Sequence, residues 1–111
     1  MTLFEKQTQF TKMLPLLLNK AFELGFDVTV GDAYRDPRVF GALGETKGYG
    51  LPSSAHKSRL AIDLNLFKNG VFLESTNDHL PLGEYWESIG GSWGGRFKDG
   101  NHYSLQFNGI R

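Results

Sequence analysis

The sequence contains no cysteine. A disulfide scaffold and a cysteine-ligated zinc site are therefore both excluded, and any bound metal must rely on His, Asp or Glu. Net charge is also lacking: 12 basic residues face 12 acidic ones. That balance implies no basic face, so nucleic acid is not the first partner to consider. Long hydrophobic runs are missing too. The longest near the N-terminus, residues 13–18, is short and is interrupted by Pro15. With no small-residue cleavage site after it, the segment reads as neither a signal peptide nor a membrane span. Synthesis in a cytoplasm is expected, with release or carriage by another component for any action elsewhere. No repeat, linker or low-complexity tract stands out.

What is present suits one globular domain over residues 1–111. A chain of this length can bury roughly two thirds of its surface, enough for one modest core. Residues 3–24 carry Phe10, Met13, Leu14, Leu17, Leu18, Ala21 and Phe22 at helical spacing. Thr2 and Glu5 form a capping box, and Gly25 is a C-terminal stop. Pro15 is expected to kink or split this helix. Residues 26–30 read as a strand. Asp36 and Pro37 begin a short helix, and residues 44–54 look irregular. Residues 59–67 are the clearest strand, followed by the hairpin turn Lys68-Asn69-Gly70 into Val71-Phe72-Leu73. Residues 80–89 suggest a helix ended by Gly90-Gly91, residues 93–97 a glycine-broken strand or loop, and residues 102–107 a last strand.

Alternation along the clearest strand puts Leu60, Ile62, Leu64 and Leu66 on a core face. Ala61, Asp63, Asn65 and Phe67 fall on the other. Asp63 in such a run needs a partner, because an unpaired buried carboxylate is costly. His56 lies seven positions earlier, a span of roughly 23 Å if extended. Both can bind one ion only if the chain folds back between Ala55 and Leu60. Taken alone, the pair also reads as a surface histidine and a structural aspartate. A second cluster, WGGRFKDGNHYSL, holds Asp99 three residues before His102. Two histidines and an aspartate would supply three zinc ligands and leave one position for water. Asp99 is then a candidate general base or proton shuttle. The alternative is that Asp99-Gly100-Asn101 is simply a tight turn.

SAHKSRLAID resembles the S-x-H-x-x-G-x-A-x-D motif of zinc peptidases that cut peptidoglycan stem peptides: D-alanyl-D-alanine carboxypeptidases and dipeptidases, and phage-type L-alanyl-D-glutamate endopeptidases. DGNH resembles their second motif. The resemblance implies an α+β fold of the hedgehog/D,D-peptidase kind: a small antiparallel sheet, the N-terminal helix on one face and a zinc cleft on the other. It implies that His56, Asp63 and His102 hold Zn2+ and that Asp99 is the catalytic acid/base. Aspartate rather than glutamate at that position leans toward the endopeptidase. AYRD resembles the segment whose arginine, here Arg35, helps bind substrate or transition state; the alternative is a surface arginine after a strand. Ser54 is a candidate substrate donor. Two departures stand out. Arg59 replaces the motif's usual glycine, and Ser104 follows Tyr103 where relatives often have Glu or Gln. Glu84 and Glu87 are expected to be solvated, and Trp86, Trp93 and Tyr103 to be core rather than a cleft wall.

The resemblance thus implies a monomeric endolysin that hydrolyses stem peptides and reaches the wall with a holin-type release partner. The alternatives are a D,D-carboxypeptidase, a non-catalytic zinc or wall-binding module, and a virion-associated component. The presence of Asp99 favours an enzyme.

Overall fold

The structure is a computed structural model, and it describes residues 1–45 and 53–111. The irregular stretch expected over residues 44–54 therefore lies largely outside the described residues. Helix α1, Leu3–Glu23, opens on the expected capping box: Glu5 N–H donates to Thr2 Oγ1 (3.1 Å) and Thr2 N–H to Glu5 Oε1 (3.0 Å). It ends in a Schellman motif. Gly25, at φ 87°, donates to Phe22 O, and Phe26 N–H reaches back to Ala21 O. Pro15 lies inside α1 and does not split it. Burying Phe10, Met13, Leu17 and Ala21 on one face outweighs the hydrogen bond that proline forfeits.

Strand β1 (Asp27–Val30) leads to the single turn α2 (Pro37–Phe40), and then to β2 (Ala61–Lys68) and β3 (Val71–Leu73). Helix α3 (Thr76–Ser88), β4 (Ser92–Trp93) and β5 (His102–Ser104) complete the chain. All strand pairs are antiparallel, in the order β1-β2-β5-β4, with β3 also on β2. The molecule is thus α+β, with a small antiparallel sheet and an N-terminal helix. Leu60, Ile62, Leu64 and Leu66 are buried as the alternation predicts, in one core with the apolar face of α1, and with Leu82, Trp86, Trp93 and Tyr103. The expected strand over residues 26–30 is an edge strand, and its Val30 is exposed.

Besides shifts of one or two residues at the ends of α1, β1 and β2, three elements differ from expectation. Helix α3 starts at Thr76, not at residue 80, because Ser75 and Asp78 form a second capping box. Residues 94–97 form a 3-10 turn after the two-residue β4. Strand β5 stops at Ser104, after which Phe107 pairs with Ile110 in a turn. Among the described residues, no helix is long and apolar enough to cross a membrane.

Candidate metal centre

The first candidate ligand sits on a 3-10 turn, Ala55–Ser58. Ser54 caps that turn by accepting from His56 N–H at 3.2 Å. The chain then folds back as the spacing requires. Arg59 takes the left-handed conformation (φ 58°, ψ 34°), and Leu60 N–H closes onto Ala55 O at 3.0 Å. A glycine would adopt that conformation without steric cost. Arg59 adopts it with its guanidinium stacked 4.0 Å from the centre of the Tyr34 ring. The departure from the motif therefore leaves the fold-back intact.

The second segment is built the same way. A 3-10 turn, Gly94–Phe97, ends on left-handed Lys98 (φ 63°). Asp99 N–H then donates to Gly94 O (2.9 Å) and His102 N–H to Asp99 O (3.1 Å). Gly94 admits no side chain: a Cβ there would lie 2.2 Å from Asp99 O and 2.7 Å from His102 Cβ. In the antiparallel register of β2 and β5, His102 stands directly opposite Asp63.

These two turns and one strand pair bring three atoms together. His56 Nε2 lies 3.1 Å from Asp63 Oδ1, His102 Nδ1 lies 3.3 Å from His56 Nε2, and His102 Nδ1 lies 3.5 Å from Asp63 Oδ1. Metal–ligand bonds of about 2.0–2.1 Å in a tetrahedron give ligand–ligand edges of roughly 3.3–3.4 Å, which matches this triangle. Protonation agrees with it. His56 Nδ1 is 2.7 Å from the carbonyl of Ala33, which can only accept, so Nδ1 carries the hydrogen and Nε2 presents a lone pair to the cluster. Burial pushes the Asp63 carboxyl up, while a ring N–H donated from His102, or from His56 when doubly protonated, brings it down to about 2; a cation on the bare nitrogens would take over that role. A bare His56 nitrogen and a carboxylate converging beside His102 Nδ1 call for a cation there. Zinc fits this donor set, and His56, Asp63 and His102 could hold it.

Around the triangle runs a cleft of about 150 Å³, lined by Arg35, Ser53, Ser54, His56, Phe97, Asp99, His102 and Arg111. The Asp99 side chain is half exposed, with Oδ2 3.9 Å from His102 Nδ1. It can therefore meet both solvent and the cluster. Arg35 donates through Nη1 to Ser54 Oγ (3.0 Å), and through Nε and Nη2 to Asp32 Oδ2 (3.4 Å each). Every residue singled out from the sequence as a ligand, base or substrate contact thus lies in the cleft or directly beneath it. Asp32, Phe97 and Arg111 were not singled out. For Asp32 the three-residue spacing to Arg35 was a usable signal; for Phe97 and Arg111 there was none.

The three aromatic residues expected in the core do not line the cleft. Trp86, Trp93 and Tyr103 are buried, and the two indoles donate to Ser104 O (2.9 Å) and Gly100 O (2.7 Å). The Tyr103 hydroxyl meets His79 Nδ1 at 2.7 Å inside the core. Glu84 is exposed, and Glu87 pairs with Arg96 at 2.6 Å. Neither carboxylate supports the triangle.

A family profile described as D-alanyl-D-alanine carboxypeptidase matches residues 47–105, slightly more than half of the chain. The matched stretch carries His56, Asp63, Asp99 and His102. Comparison with curated proteins gave no match.

Proposed function

The chain belongs to the D-alanyl-D-alanine carboxypeptidase family of zinc peptidases, and on that premise we propose that it hydrolyses the L-alanyl-D-glutamate bond of peptidoglycan stem peptides. One observation carries the peptidase reading: the triangle of His56 Nε2, Asp63 Oδ1 and His102 Nδ1, with Asp99 beside it in the same cleft. In this reading His56, Asp63 and His102 hold zinc. When bound, zinc supplies a Lewis acid that polarises a peptide carbonyl and makes water acidic enough to attack near neutral pH.

The protein's own residues do the rest. Asp99, half exposed at the mouth of the cleft, accepts the proton of the attacking water and returns one to the departing amine. Arg35 faces the oxygen on which charge develops. Its guanidinium is aimed by Asp32 and Ser54, so little reorganisation is needed at the moment of reaction. Ser54 also fixes the His56 turn through its main-chain contact, which couples the substrate side of the cleft to the ligand side. Ala33 holds the His56 ring in the tautomer that leaves Nε2 bare.

The choice of bond rests on resemblance: aspartate at position 99 is the endolysin-type residue. Removal of a terminal D-alanine is the second reading, and the description of the matching family supports it. The proposed setting is a monomeric, phage-type lysis enzyme acting on the wall after a holin-type partner opens the membrane. The test is digestion of purified peptidoglycan, with mass spectrometry of the fragments before and after chelation and zinc restoration. New L-alanine C-termini and D-glutamate N-termini that come and go with zinc are expected. Loss of terminal D-alanine alone would move the activity to the carboxypeptidase. No cleavage by folded, zinc-loaded protein would overturn the enzymatic reading in favour of a binding module.

A further inference from the structure

The cleft contains two guanidinium groups, and they are not equivalent. Arg35 is tied down by Asp32 and Ser54, and its side chain is only 12% exposed. Arg111 lies beyond the matched stretch, at the other end of the chain. It is exposed, and among the described residues no carboxylate pairs with it. Its guanidinium nevertheless lies over an aromatic platform. Its Cζ lies 4.8 Å from the centre of the Phe97 ring, and Phe97 meets the His102 ring edge-to-face at 5.7 Å. One aromatic ring thus separates this guanidinium from a candidate metal ligand, and both line the same cleft. A guanidinium held this way keeps its planar fork of donors for an external partner, and it has less side-chain freedom to lose on binding.

We propose that Arg111 is a specificity-determining residue that grips the free α-carboxylate of the substrate residue on the amine side of the cut bond. This inference rests on the peptidase reading above and extends it to the substrate's recognition. In both candidate bonds the residue on the amine side has such a carboxylate. A terminal D-alanine carries one, and so does D-glutamate when it is linked onward through its side-chain carboxyl. The two arginines then divide the work. Arg35 faces the reacting carbonyl, and Arg111 reads the charge one residue further on. The matched carboxylate gains a bidentate, charge-assisted contact, and a carboxamide in its place does not.

The experiment is titration calorimetry of the zinc-loaded protein with γ-D-glutamyl-L-lysinamide and with the same compound carrying a carboxamide at the D-glutamate α-position, using wild type, Arg111→Gln and Arg111→Lys. D-Alanine and D-alaninamide form a second probe pair. Wild type should bind the carboxylate about 10- to 100-fold more tightly than the carboxamide, the range of a hydrogen bond to a charged group. Arg111→Gln should lose most of that preference, and Arg111→Lys, which keeps charge without the fork, should retain part of it. An equal preference in wild type and Arg111→Gln overturns the proposal, because the carboxylate is then held by zinc or by Arg35. Absence of any preference in wild type overturns it as well. If wild type cleaves no stem peptide but the preference persists and depends on Arg111, the peptidase reading fails while the carboxylate subsite stands.

Discussion

Lowering the pH should unfold this protein partly through His79, which takes no part in the proposed chemistry. The ring is 2% exposed and spends Nδ1 on the Tyr103 hydroxyl at 2.7 Å. Burial pulls its pKa from 6.5 down to about 4, against a weaker opposing pull from Asp78. The folded state thus holds His79 neutral where the unfolded chain would protonate it. The stability due to the neutral ring is fully present above about pH 6.5. It is lost as the pH falls from there toward 4. At pH 5 the unfolded chain gains about 1.5 units of protonation free energy that the fold cannot match, or about 2 kcal/mol. The assay is denaturant unfolding at pH 7.5 and pH 5.0 on chelator-treated protein, so that metal release does not contribute. His79→Gln keeps a partner for Tyr103 and removes the titrating group. Wild type should lose about 2 kcal/mol more than His79→Gln between the two pH values. Equal losses would show that His79 is not held neutral, and the burial argument would be wrong.

Four further outcomes are expected. Asp99→Asn should keep its zinc and lose about 10²- to 10⁴-fold in turnover, since only proton transfer is removed; an active variant would take Asp99 out of the base role. His56→Ala and Asp63→Ala should each weaken zinc binding, and wild-type metal content in both variants would show the ligand set to be wrong. Gly94→Ala should lower zinc affinity and turnover together, because its Cβ must displace Asp99 O or His102; metal titration and peptide hydrolysis measure the two effects. Arg59→Gly should change stability by less than about 1 kcal/mol, as relief of the left-handed backbone offsets the lost stacking on Tyr34, whereas Arg59→Val should cost about 1–2 kcal/mol more in thermal unfolding.

The alternation along β2 made one face of the sheet legible in the sequence, and it marked Asp63 as a residue needing a partner. The candidate ligands could be named because their residue types and spacing match a known pattern. The means of bringing them together could not. The fold-back after His56 rests on arginine in a left-handed conformation, which local preference argues against. Pro15 suggested a break that the burial of Phe10, Met13 and Leu17 overrides. The expected start of α3 at residue 80 fell too late, because the Ser75–Asp78 capping box upstream of it went unread. Phe97 and Arg111 enter the cleft only through tertiary closure, so no local pattern marks them.

The pairing of Asp63 with His102 has a consequence for assembly as well as for chemistry. Side chains alternate faces along a strand, so a slip of one residue between β2 and β5 would turn one of these two groups away from the other. Two of the three candidate ligands therefore come together only when the central strand has found its correct neighbour in the correct frame. The third depends on the turn just upstream. An ion captured by all three would tie the middle of the chain to its far end, and dissociation of the strands would require giving it up. Metal uptake would then act as a proofreading step: newly made chains with mispaired strands would stay empty and inert, and correctly paired chains would be locked as they become competent.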